Sequence, residues 1–476
     1  LEEVHRGARE RRPLHHRLAE LRFGDRAGRR FGVIAVACSV AGALLTACDA
    51  APPPGPIAEP QLGEPVVQGP PFPRTAVYFL EHEDLPTADT LARYDVVVLD
   101  SEWDNRLPPS FFGTIRQHNP DVILLAYVNV VDRPPRLGSP DRWADRYALW
   151  QFVSETESRF PPRWLARTGD GTPVSEWPDT TMTNLTDQAP RVDGQTFAGY
   201  LADWMTDQVW STGIWDGIFL DVWGDRIYGA SHDHWDIDGD GTDEPESAIY
   251  GPGKPWERGI DAAERLLRAR MPKAILVANG DRTLRGGHLD GRVWESFADP
   301  KAGRDPLYDM RSYVTLTAEG DHRRPGLAMT INQQRATPGS PQDYRRGRFF
   351  LTATLLQDGY WAPMGEDYGE LAAYDELVGG GLGPGYLGYP YVGNPTSLQL
   401  IGDYADGVGE VTDGLLRRDF EHGIVLVNTV PQQRTVTLER PYRRLRGVLD
   451  PTTNNGQVVR TVSVPPLDGL VLLRSP

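Results

Sequence analysis

Cysteine is nearly absent from this chain. Its 476 residues hold two, Cys38 and Cys48. Beyond them there can be no disulfide, no thiolate nucleophile and no Cys-type zinc site. Charge of one sign is also short: 49 Lys and Arg face 66 Asp and Glu, a formal net charge of -17. No basic block survives past the first 47 residues, which excludes nucleic acid and polyphosphate as natural partners. No G-x-S-x-G turn is present, and no G-x-G-x-x-G follows the first strand. The glycine-rich run Gly379 to Gly385 lacks the Lys-Ser/Thr of a phosphate loop. Serine-hydrolase, dinucleotide and P-loop chemistries therefore drop out.

The N-terminal part is distinct from the rest. Arg29 and Arg30 precede the apolar run Phe31 to Leu45, which ends in Leu45-Thr46-Ala47-Cys48. A basic flank, an apolar core and a small-residue cleavage site read as an export signal. The run is shorter than the roughly 20 residues of a membrane-spanning helix. The ending resembles a bacterial lipobox, which implies cleavage before Cys48 and acylation of its thiol. The expected location is the cell envelope, with the chain lipid-anchored to a membrane surface or in the periplasm. Ala50 to Pro73, rich in proline and without periodicity, reads as an extended spacer.

From about Thr75, short apolar runs alternate with helical patterns. The runs are 75–80, 95–100, 122–130, 216–221, 274–279, 292–296, 326–332 and 359–364. Helical spacing appears over Thr196 to Val209, Pro255 to Arg270 and Tyr344 to Leu356. Eight buried strands alternating with helices predict a (β/α)8 barrel over 74–395, with a doubly wound open sheet as the alternative. After about Leu398 the segments are short, Val- and Leu-rich and separated by turns, as in a small antiparallel β-domain covering 396–476.

In a barrel the chemistry sits where strands end. Asp221 closes the fourth run and Glu295 the sixth. Two carboxyl groups flanking one bond are what glycoside hydrolysis needs: one attacks or activates water, the other protonates the leaving oxygen. The rival account of each is an ion pair or a helix cap. Other strand ends carry Asp100, Glu102, Asn129, Asn279 and Asn332, with Asp281 just beyond. Aromatic residues fall near the same ends: Tyr78, Trp103, Tyr127, Trp177, Trp223 and Trp361. Sugar rings present C–H faces that such rings can cover. From these sets Tyr78, Asp100, Glu102, Tyr127, Asn129, Trp223, Asn279, Asn332 and Trp361 are expected to line a sugar site.

The runs "DGIFLDVWGD", "VWESF", "RRGRFFLTATLLQDGYW" and "RRDFEHGIVLVNTV" resemble a family of hypothetical bacterial glycoside hydrolases, over about residues 72–476. More remotely the barrel is similar to the α-1,4-polygalactosaminidase type. That resemblance implies Asp221 as nucleophile and Glu295 as acid/base.

A further motif lies beyond the fourth strand. In "DHWDIDGDGTDE", Asp236, Asp238 and Asp240 with Gly241 at the sixth place match the first half of a calcium loop. The twelfth position is Ser247, and Glu244 or Glu246 is the candidate substitute. No catalytic cofactor is expected, only a structural Ca2+. The expected partners are a carbohydrate polymer and a membrane, with the chain itself a monomer. The reading from another class is a non-catalytic carbohydrate-binding lipoprotein on the same scaffold.

Overall fold

The computed structural model describes residues 55–81, 85–133, 161–176, 180–324, 326–366, 368–391 and 408–474. The signal segment, Cys48 and Trp177 lie outside the described residues.

The eight apolar runs become eight parallel strands: β1 Ala76–Phe79, β2 Val96–Asp100, β3 Ile123–Asn129, β4 Gly217–Asp221, β5 Ile275–Asn279, β6 Gly291–Glu295, β7 Met329–Gln333 and β8 Tyr360–Met364. They pair in sequence order. The sheet closes because Thr75 and Trp361 form a parallel bridge, with the Trp361 amide donating to the Arg74 carbonyl at 3.1 Å. It is therefore a barrel and not the open sheet.

Strand side chains alternate between two faces. One set, including Tyr78, Val98, Leu125, Tyr127, Phe219, Val277, Val293, Met329 and Tyr360, fills the barrel interior. The opposite set, including Val97, Leu99, Leu124, Val128, Ile218, Leu220 and Leu276, packs with the surrounding helices. Both faces are buried, which is why the strands read as unbroken apolar runs. The helices around the barrel include α1 Ala88–Leu91, α2 Pro109–His118, α3 Phe197–Trp204, α4 Pro255–Arg270, α5 Pro306–Glu319 and α6 Pro341–Thr354. Four of them start with proline at the first turn, where its missing N–H costs nothing. The helix expected over Thr196 to Val209 starts as α3, capped by the Thr196 hydroxyl, and widens into a π turn at Met205–Val209.

Glycine is required at two strand starts. A Cβ on Gly217 would stand 1.9 Å from the Ile275 carbonyl oxygen, and one on Gly291 would stand 1.8 Å from that of Leu327. Each of these two strands carries a carboxylate four residues later.

The tail forms a six-stranded antiparallel sheet: β9 Val408–Thr412, β10 Leu415–Phe420, β11 Gly423–Asn428, β12 Arg434–Arg444, β13 Val458–Val464 and β14 Asp468–Arg474. Buried ion pairs fasten it to the barrel helices. Arg348 on α6 grips both oxygens of Asp468 at 3.0 Å, and Arg418 reaches Asp358 at 2.8 Å. The described part of the proline-rich stretch is extended but lies on the protein: the Ile57 amide donates to Thr437 at 2.9 Å and that of Phe72 to Gly388 at 2.9 Å.

Glu376 is buried in this seam and takes a hydrogen bond from Asn454 Nδ2 at 2.8 Å. Burial pushes its carboxyl up to about 7, against the pull of Arg348 and Asn454. A raised value means the folded state holds a proton that the unfolded chain releases. Its contribution is complete below the ordinary carboxylate range and is lost as pH rises through about 7. Glu376→Gln keeps an acceptor for Asn454 and removes the charge. We expect it to stabilise the protein at pH 8 by about 3 kcal/mol and to change little at pH 4, read by denaturant unfolding at the two pH values.

Candidate active site

Asp221 and Glu295 are the last residues of β4 and β6, with inward parity. Between those strands runs β5, ending in Asn279. Its side-chain amide donates to Asp221 Oδ1 at 2.8 Å and to Glu295 Oε2 at 3.0 Å. Those two oxygens therefore lie no more than 5.8 Å apart, the sum of the two bonds.

The pair sits in a cage of phenols. Tyr127 donates its hydroxyl to Asp221 Oδ2 at 2.5 Å, and Tyr368 donates to Glu295 Oε1 at 3.3 Å. The ring of Tyr78 stands 6.1 Å from that of Tyr127 and 5.9 Å from that of Tyr368. Burial first, then the nearby charges of Asp221 and Glu295, hold the Tyr78 hydroxyl well above its ordinary value. Burial also pushes Asp221 up to about 6, and the charge of Glu295 adds to the rise. Hydrogen bonds from Tyr127, Asn279 and the Val222 backbone act in the opposite direction, because they favour the anion.

Both strands end in a sharp bend. Val222, directly after Asp221, has φ 54°, and Ser296, directly after Glu295, has φ 53°. A β-branched residue in the left-handed region is strained, and such strain gathers at functional sites. Asn332 supports the second bend by donating to the Phe297 carbonyl at 2.7 Å.

Of the expected site residues, Asp221, Glu295, Asn279, Tyr127 and Tyr78 come together. Asp100 and Asn129 share the inward parity but are buried. Asp100 accepts the Glu102 amide at 3.4 Å, and Asn129 accepts that of Val131 at 3.1 Å. Glu102 is fully buried and lies 3.5 Å from Arg106.

Three residues differ from expectation. Trp223 is 0% exposed and donates its ring N–H to Glu264 at 2.9 Å. Trp361 is 1% exposed and donates to Asn332 at 3.1 Å. Asn332 and Trp361 have the outward parity, so they pack in the helix layer and offer nothing to the mouth. Trp164 is likewise buried, against Phe197 and Tyr200.

The sequence reading missed two groups. Tyr368 sits on the loop after β8, where no periodicity marks it. Gln333, one residue past Asn332, is the inward residue that ends β7; its amide donates to the Glu366 carbonyl at 2.8 Å. Strand parity was the available signal.

In the insertion after β4, carboxylate oxygens of Asp236, Asp238 and Asp240 lie within 4.8 Å of one another. Gly241 takes φ 86°, as the sixth place of a calcium loop needs. Glu244 is not part of this cluster; one of its oxygens accepts the Ile237 amide at 3.0 Å. Asp225 belongs elsewhere: it pairs with the buried Arg282 at 2.6 Å and binds Thr283.

Barrel and mouth together are those of a glycoside hydrolase. Residues 116–424 match the model of the family described as hypothetical glycosyl hydrolase family 15, and the chain belongs to that family. No curated protein matches it. Among solved structures, the glycoside hydrolase domain of PelA from Pseudomonas aeruginosa is 16% identical, with 61% of this chain and 93% of that one covered and a TM-score of 0.35. The cycloalternan-forming enzyme from Listeria monocytogenes is 12% identical, with coverage of 87% and 42% and a TM-score of 0.41. A cycloalternan-degrading enzyme from Trueperella pyogenes is 14% identical, with coverage of 87% and 61% and a TM-score of 0.40. Likenesses this remote say nothing about substrate.

Tyr127→Phe removes one donor that favours the Asp221 anion. The acidity of that carboxyl should fall about tenfold, the worth of one hydrogen bond to a charged group, moving it above about 6. A carboxyl carbon NMR titration reads the shift, and an unchanged midpoint would show that the 2.5 Å contact carries no weight.

Proposed function

We propose that this protein hydrolyses O-glycosidic bonds of a poly- or oligosaccharide by a retaining, two-carboxylate mechanism. The observation that carries the reading is the shared amide of Asn279, which leaves Asp221 and Glu295 oxygens at most 5.8 Å apart. Retaining enzymes hold their carboxyl groups about 5–5.5 Å apart, while inverting ones keep about 6.5–9.5 Å for a water.

The roles follow from the donors. Asp221 receives Tyr127, Asn279 and the Val222 backbone, a set that suits an anion. In the first step its carboxylate attacks the anomeric carbon as the bond to the leaving oxygen breaks, and Glu295 gives that oxygen a proton. In the second step Glu295 takes a proton from water, whose oxygen attacks the same carbon and releases Asp221. Because Asp221 must be ionised, activity should fall as pH drops through about 6.

The test is a polysaccharide panel with the full chain. On a substrate that it cleaves, Asp221→Asn should lose about a thousandfold or more in kcat. Glu295→Ala with added azide should give a glycosyl azide, formed when azide opens the intermediate on Asp221. Full activity in Asp221→Asn would remove Asp221 from the nucleophile role. Binding of a glycan without cleavage would favour the carbohydrate-binding alternative.

The proposal includes export and a lipid anchor at Cys48, supported by the apolar run and the Leu-Thr-Ala-Cys ending. It also includes a structural Ca2+ at Asp236, Asp238 and Asp240, bracing the insertion. Submillimolar to millimolar Ca2+ should then raise the melting temperature, and Asp238→Asn should abolish the rise. An unchanged melting temperature with Ca2+ and with chelator overturns that part.

A further inference from the structure

A cavity of about 420 Å3 lies on the outer side of β6, among the loops after β4 and β5 and the start of α5. Arg226, Tyr228, Tyr250, Arg292, Trp294 and Tyr308 are among the residues that line it. Trp294 precedes Glu295 directly, so the two side chains take opposite faces of the strand. The cavity is thus separated from the mouth by one strand of the barrel wall.

Its chemistry is that of a site for a sugar bearing an acid. Tyr228 and Tyr308 are 63% and 71% exposed, large rings left in water at the rim. Such rings can cover the C–H face of a pyranose. The acids of the lining are already engaged: Asp281 with Arg292, Asp309 with Arg304 at 3.0 Å, and Asp225 with Arg282 at 2.6 Å. The arginines are engaged as well through terminal nitrogens, Arg226 with Glu246 and Arg292 with Asp281, so the capacity left unused is that of single N–H donors. Nε of Arg226, Nε of Arg292 and the ring N–H of Trp294 are shielded from solvent and have no hydrogen-bond partner among the described residues. Arg292 and Trp294 are only 7% and 3% exposed. Buried donors left in this state are rare and costly. Three unpaired N–H groups around one cavity call for oxygen acceptors. Two are Nε–H groups of separate guanidinium groups, so each can donate to one oxygen of a carboxylate. Small turns of Arg226 and Arg292 toward such a group would satisfy them.

We propose that this cavity is a second, non-catalytic saccharide site that accepts a hexuronate unit. The proposal rests on the glycoside-hydrolase reading only for the class of its ligand.

The test is calorimetric titration of the full chain carrying Asp221→Asn, with glucuronate, glucose and acetate as probes. Glucuronate should bind saturably in the millimolar range, and glucose and acetate at least tenfold more weakly. Arg226→Lys keeps the charge and loses the planar fork, and Tyr308→Ala removes an exposed ring without touching the core. Each should weaken glucuronate about fivefold or more. The parent chain should bind glucuronate with the affinity of Asp221→Asn, because the mouth is not the site. No saturation by glucuronate overturns the proposal. So does equal binding of acetate, which would make it a plain anion site, or equal binding of glucose. Failure of Arg226→Lys and Tyr308→Ala to weaken binding also overturns it. If the polysaccharide panel shows no hydrolysis while glucuronate binding responds to both variants, the catalytic reading fails and this site stands.

Discussion

One side-chain amide between two like charges is the interaction on which the mouth depends. Asp221 and Glu295 repel each other, and burial sharpens the repulsion. Asn279 offers one N–H to each. An aspartate there would add a third acid, and a glutamine would need room for a further methylene. Strand order makes the arrangement possible, since β5 lies between β4 and β6. Register completes it. Leu220 pairs with Ala278, which puts Asp221 level with Asn279, whereas Val293 pairs with Asn279 and puts Glu295 two residues higher. That stagger is the ordinary shear of a closed barrel. It sets one carboxylate deeper and the other nearer the rim, from where it can meet solvent.

The rest of the molecule keeps those strand ends still. The interior is filled by Tyr78, Tyr127, Phe219 and Tyr360 among others, so the barrel is solid below the acids. Outside it, the fully buried Arg282 draws Glu264 on α4 and Asp225 after β4 to one guanidinium. Trp223 donates to the same Glu264, so the roots of the β4 and β5 loops are tied to one helix. The tail sheet fixes α6 through Arg348 and Asp468. A buried pair of this kind adds little net stability over an apolar contact, but removing one partner is costly, so it acts as a register lock.

Much of this was legible in the sequence, for physical reasons. Strands buried on both faces leave unbroken apolar runs, and all eight did. Asp221 and Glu295 stood out because a charge ending such a run needs a destination. Asn332 and Trp361 were misplaced because proximity to a strand end was weighed without parity, whereas Trp223 shares the parity of Asp221 and follows the left-handed step at Val222, beyond which strand parity no longer holds. Counting by twos from Val293 to Glu295 and from Ile331 to Gln333 separates inward from outward. Tyr368 was invisible, since a loop residue acquires its position from tertiary contacts alone. The cavity beside β6 gathers residues from five separate segments, none of which carries a pattern by itself. The spacer looked free because proline-rich extended chain has the same composition whether it is solvated or laid on a sheet.

The bends at Val222 and Ser296 have a wider consequence. The chain leaves β4 and β6 at an abrupt left-handed step, and the loop beyond that step starts from a fixed root. The 33 residues between Asp221 and Pro255 are thereby cantilevered from the barrel. Their outer parts can be exchanged, lengthened or pared back without moving the acids. Such a protein can come to accept a different polymer by rewriting its overhang, while the atoms that would break the bond stay where the staves put them.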